Sequence, residues 1–188
     1  MTRTVYVNGE YLPETEAKVS IFDRGFLMGK AKFFPYYRFA LYAHMVASPV
    51  ALLAGLYQFA VKGKWHRQIG LLYVLAVLGL AAPSGLMMSF YAIGGLPSTI
   101  NFLALSWLWG FCTYAAYVAA RRGDWPRHQR MMTRSFILTN SAVLIRLFSF
   151  INHHFHLTDP LTGYVVIAYI SWLPWWGIYE GMLWWKSR

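Results

Sequence analysis

From Phe39 to Trp185 the chain is a series of apolar runs separated by short polar breaks. A helix needs about 20 predominantly apolar residues to cross a bilayer. Five runs reach that length, near residues 39–61, 69–93, 100–120, 131–155 and 164–185. Only 13% of the chain is charged, against about 25% in a typical soluble domain. The expected fold is therefore all-α: an antiparallel bundle of five transmembrane helices over residues 34–188, preceded by a polar extension over residues 1–33. Short connections favour sequential neighbours in such a bundle. Pro49, Pro83 and Pro174 fall inside the runs and are expected to bend helices rather than end them.

The charges orient the bundle. The first connection holds Lys62, Lys64 and Arg67, the third holds Arg121, Arg122, Arg127 and Arg130, and the tail holds Lys186 and Arg188. The second ("GGLPST") and fourth ("HLTDPLTG") hold neither Lys nor Arg. Basic loops stay in the cytoplasm, which puts the C-terminus inside and the N-terminus outside. Lys30, Lys32 and Arg38 flank the first run on the other side and oppose this, outnumbered by two loops and the tail. The expected location is a bacterial cytoplasmic (inner) membrane. The net charge of +10 then describes a basic rim suited to anionic lipid headgroups, and no feature points to nucleic acid.

The extension reads differently. "VYVNGEYLPETEAKVSIFDRGFLMG" alternates as a strand does, turns at Asn8-Gly9 and alternates again, the pattern of a β-hairpin. It lacks the charged and apolar regions of a secretory signal peptide. From Val5 to Gly29, including "FDRG", it resembles the N-terminus of fold-type-IV pyridoxal-phosphate aminotransferases such as D-amino-acid transaminase. That fold carries its cofactor lysine in a later part, which does not follow here, so no aminotransferase activity is expected. A fusion remnant and a docking hairpin are the two readings of the segment.

The apolar part carries its own motifs: "WHRQIGLLY" (Trp65–Tyr73), "RHQRMMTRSF" (Arg127–Phe136), "VLIRLF" (Val143–Phe148) and "SWLPWWGIYE" (Ser171–Glu180). With His44 in the first run, these resemble an uncharacterised family of bacterial integral membrane proteins, a domain of unknown function. Its marks are an HR-x-x-G entering the second span and an H-x-x-x-M-x-R-S entering the fourth, here His66-Arg67-Gly70 and His128-Met132-Arg134-Ser135. Trp172, Pro174 and Glu180 fit a W-x-P…E mark in the last span. The resemblance implies a membrane bundle and no particular activity. Histidines at both ends of a small bundle are also loosely similar to two-haem membrane cytochromes b.

Two seams stand out. In the fourth run His128, Met132, Ser135, Thr139, Ala142, Arg146, Ser149 and His153 follow a four-three spacing, which keeps them on one side of a helix. Most are polar, so the seam is expected to face the bundle. His44, Ser48, Ala51, Gly55 and Gln58 form a similar seam in the first run. Close packing through small residues explains the Ser, Thr and Gly positions. Arg146 needs more: a cation deep in a span costs several kcal/mol unless paired or hydrated. Glu180 is nearer the other end and is expected to pair with Arg134 instead. A haem propionate would answer Arg146.

Six-coordinate haem takes two imidazoles whose nitrogens stand roughly 4 Å apart, twice a metal–nitrogen bond of about 2 Å. His66 and His128 enter their spans at one end and make a candidate inner pair. His44 and His153 make a candidate outer pair, with Met87 and Met88 as alternative soft ligands. His154 and His156 leave the seam and read as interfacial, and Cys112 reads as core. The candidate metal ligands are thus His44, His66, His128 and His153, and Arg146 joins them in holding a cofactor.

Two functions fit. One is a membrane protein that binds b-type haem and transfers electrons. The other is a non-catalytic subunit or assembly factor of a larger respiratory or photosynthetic membrane complex, its seams serving packing. No H-E-x-x-H helix, nucleophile elbow or phosphate-binding Gly loop is present, so no stand-alone enzyme activity and no catalytic residue is expected.

Overall fold

The computed structural model describes residues 4–7, 10–13, 35–61 and 63–188. The chain divides into two compact units at Arg38. In the first, β1 (Thr4–Val7) and β2 (Glu10–Pro13) pair antiparallel, with Val7 opposite Glu10. This register leaves Asn8 and Gly9 as a two-residue connection, a length hairpins favour. The turn itself and the "FDRG" stretch lie outside the described residues.

Five helices follow: α1 (Pro35–Ala60), α2 (His66–Ser89), α3 (Gly95–Arg121), α4 (Trp125–Phe155) and α5 (Pro160–Lys186). Among the described residues these are the helices long and apolar enough to cross a membrane. Each starts before its apolar run because polar first turns are helical too. Asp124 caps α4 by accepting from the Arg127 N–H at 3.1 Å, and Asp159 caps α5 through the Thr162 N–H at 2.9 Å. The Thr162 N–H also holds the Asp159 carboxyl below the usual range. A ring of large apolar side chains points outward, including Leu53, Leu75, Trp107 and Phe150. A belt of this size is what lipid-facing helices present.

Two prolines sit at departures from regular helix. Residues Ala76–Ala81 of α2 form a π-helical turn in which the Ala82 N–H reaches back five residues to the Val77 carbonyl. Pro83 follows directly and has no N–H to give a regular ladder. In α5 the helix stops at Ile170 and restarts at Leu173, leaving Ser171 and Trp172 between, just ahead of Pro174. This span is therefore interrupted, not merely bent. Pro174 has no N–H to bond the Ile170 carbonyl, so a regular ladder cannot run through this point.

Small side chains let the helices approach. Ala47, Ala51 and Ala54 of α1 meet Tyr73, Ala76 and Val77 of α2 in one core with Trp109, Ala116, Met132 and Leu138. At Gly55 an added Cβ would lie 2.7 Å from the Phe136 ring, so α1 and α4 touch there through glycine. Phe136 in turn stacks on Phe59 at 4.6 Å.

The centre of the bundle is polar. The Tyr73 hydroxyl lies 2.6 Å from Ser135 Oγ and 2.7 Å from Thr139 Oγ1, and Ser135 Oγ lies 2.7 Å from Thr113 Oγ1. Trp109 Nε1 donates to the same tyrosine at 3.4 Å. Tyr73 is wholly buried, and this network ties α2, α3 and α4 where lipid offers no partner. Asn101 plays the same part between α3 and α5, accepting from Trp172 Nε1 at 3.0 Å and donating to the Ala168 carbonyl. Tyr73→Phe is expected to destabilise the protein by about 1 kcal/mol, since membrane side-chain hydrogen bonds are individually modest and Ser135 and Thr139 keep other partners. Unfolding in detergent measures this. An unchanged stability contradicts the network's contribution.

Candidate functional site

At the end of the bundle that carries the basic loops, α1, α2, α3 and α4 line a half-open pocket of about 810 Å³. Its lining combines His66, Arg67, Arg121 and His128 with the apolar Phe59, Leu71, Val74 and Met132, and Gln58, Gly70 and Gln129 complete the wall with Trp125 and Ala120. The volume falls within the roughly 300–1,000 Å³ of small-molecule and cofactor sites. The geometry follows from local sequence. Gly123, at φ +75, turns the chain between α3 and α4, Asp124 caps the new helix, and His128 falls in its first turn facing back to α3.

There the His128 ring is held. Its Nδ1 lies 2.9 Å from the Ala116 carbonyl, an acceptor only, so in the neutral ring Nδ1 carries the proton and Nε2 the lone pair. Trp125 meets the ring edge-on with centroids 6.1 Å apart. A backbone carbonyl on the far nitrogen is the usual support of a metal-bound histidine. His66 opens α2 on the opposite wall, where Gln58 donates to its carbonyl at 2.6 Å and fits over Gly70, a Cβ there lying 3.4 Å from the Gln58 amide. His66 is exposed and His128 half-buried. The expected inner pair therefore faces one chamber.

One turn deeper, Arg134 and Glu180 form a two-pronged ion pair, Nε to Oε1 at 2.6 Å and Nη2 to Oε2 at 2.8 Å. The sequence expectation for this pair holds, and it explains a carboxylate in the last span without recourse to a ligand.

At the other end the expected outer pair is not joined. His44 lies nine residues inside α1 and His153 two residues from the end of α4, depths of about 13 Å and about 3 Å. His44 is half-buried, with Nδ1 2.9 Å from the Ala81 carbonyl at the π-helical turn and 3.2 Å from Ser84 Oγ. As in His128, the carbonyl fixes the proton on Nδ1 and leaves Nε2 free. His153 is exposed, its nearest ring neighbour being His156 at 6.3 Å. His154 packs on Phe150 and Phe155. Among the described residues no three His, Cys, Asp or Glu side chains are grouped to hold a metal ion.

The fourth-span seam is only partly internal. Met132, Ser135, Thr139 and Ser149 are buried, whereas Arg146 and His153 are exposed. The reason is periodicity. A straight helix drifts about 20° per heptad from a four-three repeat, so the row Met132, Thr139, Arg146, His153 leaves the interior in its second half. Arg146 donates from Nη1 to the Ala142 carbonyl of its own helix at 2.7 Å.

The model of a family described as predicted membrane protein, DUF2306, matches residues 41–183. The chain belongs to this family. Helices and family together make it an integral membrane protein. The match includes His44, both histidines of the cavity and the Arg134–Glu180 pair, and begins after the hairpin. No curated protein and no solved structure matches the chain.

Sequence reasoning missed several participants. Tyr73, Thr113 and Trp109 build the central network, and Gln129 and Arg121 line the cavity. A signal for Tyr73 exists: His66, Gly70, Tyr73 and Val77 repeat the four-three spacing in α2. Nothing local announces Arg121, whose place depends on the turn into α4.

Proposed function

We propose that this membrane protein holds one b-type haem in the cavity between His66 and His128 and serves electron transfer. The observation that carries the reading is His128: its Nδ1 proton is committed to the Ala116 carbonyl, so the ligating nitrogen Nε2 is the free one. His66 and His128 would hold the iron, and Arg67 and Arg121 would meet the propionates, since guanidinium groups pair well with carboxylates. Phe59, Leu71, Val74 and Met132 supply the apolar wall that a macrocycle requires. When bound, haem supplies one-electron exchange at a potential set by its axial ligands and surroundings. The chain's contribution is to orient both rings, exclude water and neutralise the propionates. A reduced-minus-oxidised visible spectrum of purified protein tests this. Sharp bands of low-spin haem b are expected, and a featureless spectrum from folded protein made in haem-replete cells contradicts it.

In this reading the basic end lies in the cytoplasm of a bacterial inner membrane. Arg67, Arg121, Arg122, Arg127, Arg130 and Lys186 are all exposed there and suit anionic headgroups as well as a cytoplasmic electron donor. Orientation has its own test, because Cys112 is buried. A membrane-impermeant maleimide on intact spheroplasts should label Leu157→Cys and spare Arg122→Cys. The reverse labelling contradicts the assignment.

A further inference from the structure

Three histidines crowd the end of α4 that is remote from the basic loops, and two of them meet. His154 is engaged by its neighbours: its ring stacks on Phe150 with centroids 6.1 Å apart and meets Phe155 edge-on at 4.9 Å. His153 and His156 instead lie beside each other, with ring centroids 6.3 Å apart and planes inclined by 35°. Both side chains are exposed.

The backbone that presents His156 is held in place. The regular helix stops at Phe155, and His156 follows in the left-handed conformation at φ 50 and ψ 41. Glycine is the usual residue at such a helix end. Among the described residues His156 is the one non-glycine with positive φ, a backbone that persists where the surroundings hold it. Here Asn152 Oδ1 accepts from the Thr158 N–H at 3.1 Å and from the Thr158 hydroxyl at 2.9 Å, closing the loop around His156. Gly163 of α5 makes room for this closure. A Cβ added there would lie 2.5 Å from Thr158 Oγ1 and 2.6 Å from Asn152 Nδ2. The turn is therefore pinned between α4 and α5, and His156 does not sit on a frayed end.

The surroundings favour a cation. From Asn152 to Gly163 the chain holds no Lys or Arg, and Asp159 adds a negative charge. The free carbonyls of a helix C-terminus add negative potential. A metal–nitrogen bond of about 2 Å, with roughly 1 Å from nitrogen to ring centre, lets one ion join rings up to about 6 Å apart. The observed separation stands at that limit, and rotation of either exposed side chain shortens it.

We propose that His153 and His156 bind one copper(II) ion, with water filling its remaining positions. Imidazole suits copper, nickel and zinc, and among divalent first-row ions copper binds a given nitrogen site most tightly. With two side-chain ligands that margin decides which ion stays. Zinc sites take three or four protein ligands, and among the described residues no third His, Cys, Asp or Glu joins the pair. Spacing sets His156 off the seam of His153, and the left-handed turn is what brings its ring back. The site lies at the opposite end of the bundle from His66 and His128 and does not depend on what fills their pocket.

Titration of the full chain in neutral detergent, without a histidine tag, tests this with copper(II) glycinate as the probe. Electron paramagnetic resonance should show one tetragonal copper per chain, split by two imidazole nitrogens. His153→Ala and His156→Gly should each weaken its binding by about tenfold or more. Glycine keeps the left-handed turn, so the second variant reports the ring alone. His154→Ala should bind copper as the parent does. Copper held undiminished by folded His153→Ala and His156→Gly overturns the proposal, as does its loss in a folded His154→Ala. A parent that holds zinc(II) more tightly than copper(II) overturns it too.

Discussion

His128→Ala should strip the haem, lowering the haem-to-chain ratio at least tenfold while the protein stays folded. The imidazole is held by a backbone carbonyl that mutation of other side chains leaves in place, so this ring is the better organised of the two proposed ligands. Loss of merely supporting contacts to a metal ligand already costs about 10–100-fold in affinity, and loss of the ligand should exceed that. His66 is exposed and, among the described residues, its ring has no equivalent hydrogen bond. His66→Ala should therefore retain part of the haem, converted from low-spin to high-spin. Added imidazole should return the low-spin spectrum in His66→Ala. If both variants keep full low-spin haem, the iron is held elsewhere.

Glu180→Ala should be the most destabilising change outside the cavity. Arg134 has 18% of its side chain exposed and Glu180 38%, so the pair is partly shielded and α4 and α5 meet through it. Removing one partner of a buried pair costs about 3–5 kcal/mol because the other charge is stranded. The partial exposure here reduces the expectation to about 2 kcal/mol. Removing both charges is different. Arg134→Met with Glu180→Met leaves no stranded ion, and its stability should return to within about 1 kcal/mol of the parent. Denaturant unfolding of the two variants measures the contrast. Equal losses in both would mean that packing, and not charge, joins these helices.

The sequence makes the membrane bundle legible because lipid permits few solutions: apolar runs of this length have to be helices that satisfy their own backbone. The Arg134–Glu180 pair was also legible, from depth alone, since the topology brings these two residues to one end. His66 and His128 could be placed at the same end by the same reasoning. Their meeting around a cavity depends on how far four helices diverge, which spacing does not encode. The outer pairing of His44 with His153 fails on depth, because α4 runs to Phe155 while α1 begins at Pro35. Arg146 left the interior for a reason also invisible in a heptad count, the accumulated drift between a 3.5 and a 3.6 period. The π-helical turn beside His44 was signalled only by Pro83, which reads as a simple bend without the neighbouring carbonyls in view.

The central claim is that the cavity at the basic end is a haem chamber. The most direct test is the haem b content of wild-type protein, purified folded from haem-replete cells and quantified against the polypeptide. One haem per chain, reversibly reduced and carrying a two-histidine low-spin spectrum, is the predicted result. A colourless preparation that retains native unfolding behaviour and takes up no added haemin contradicts it.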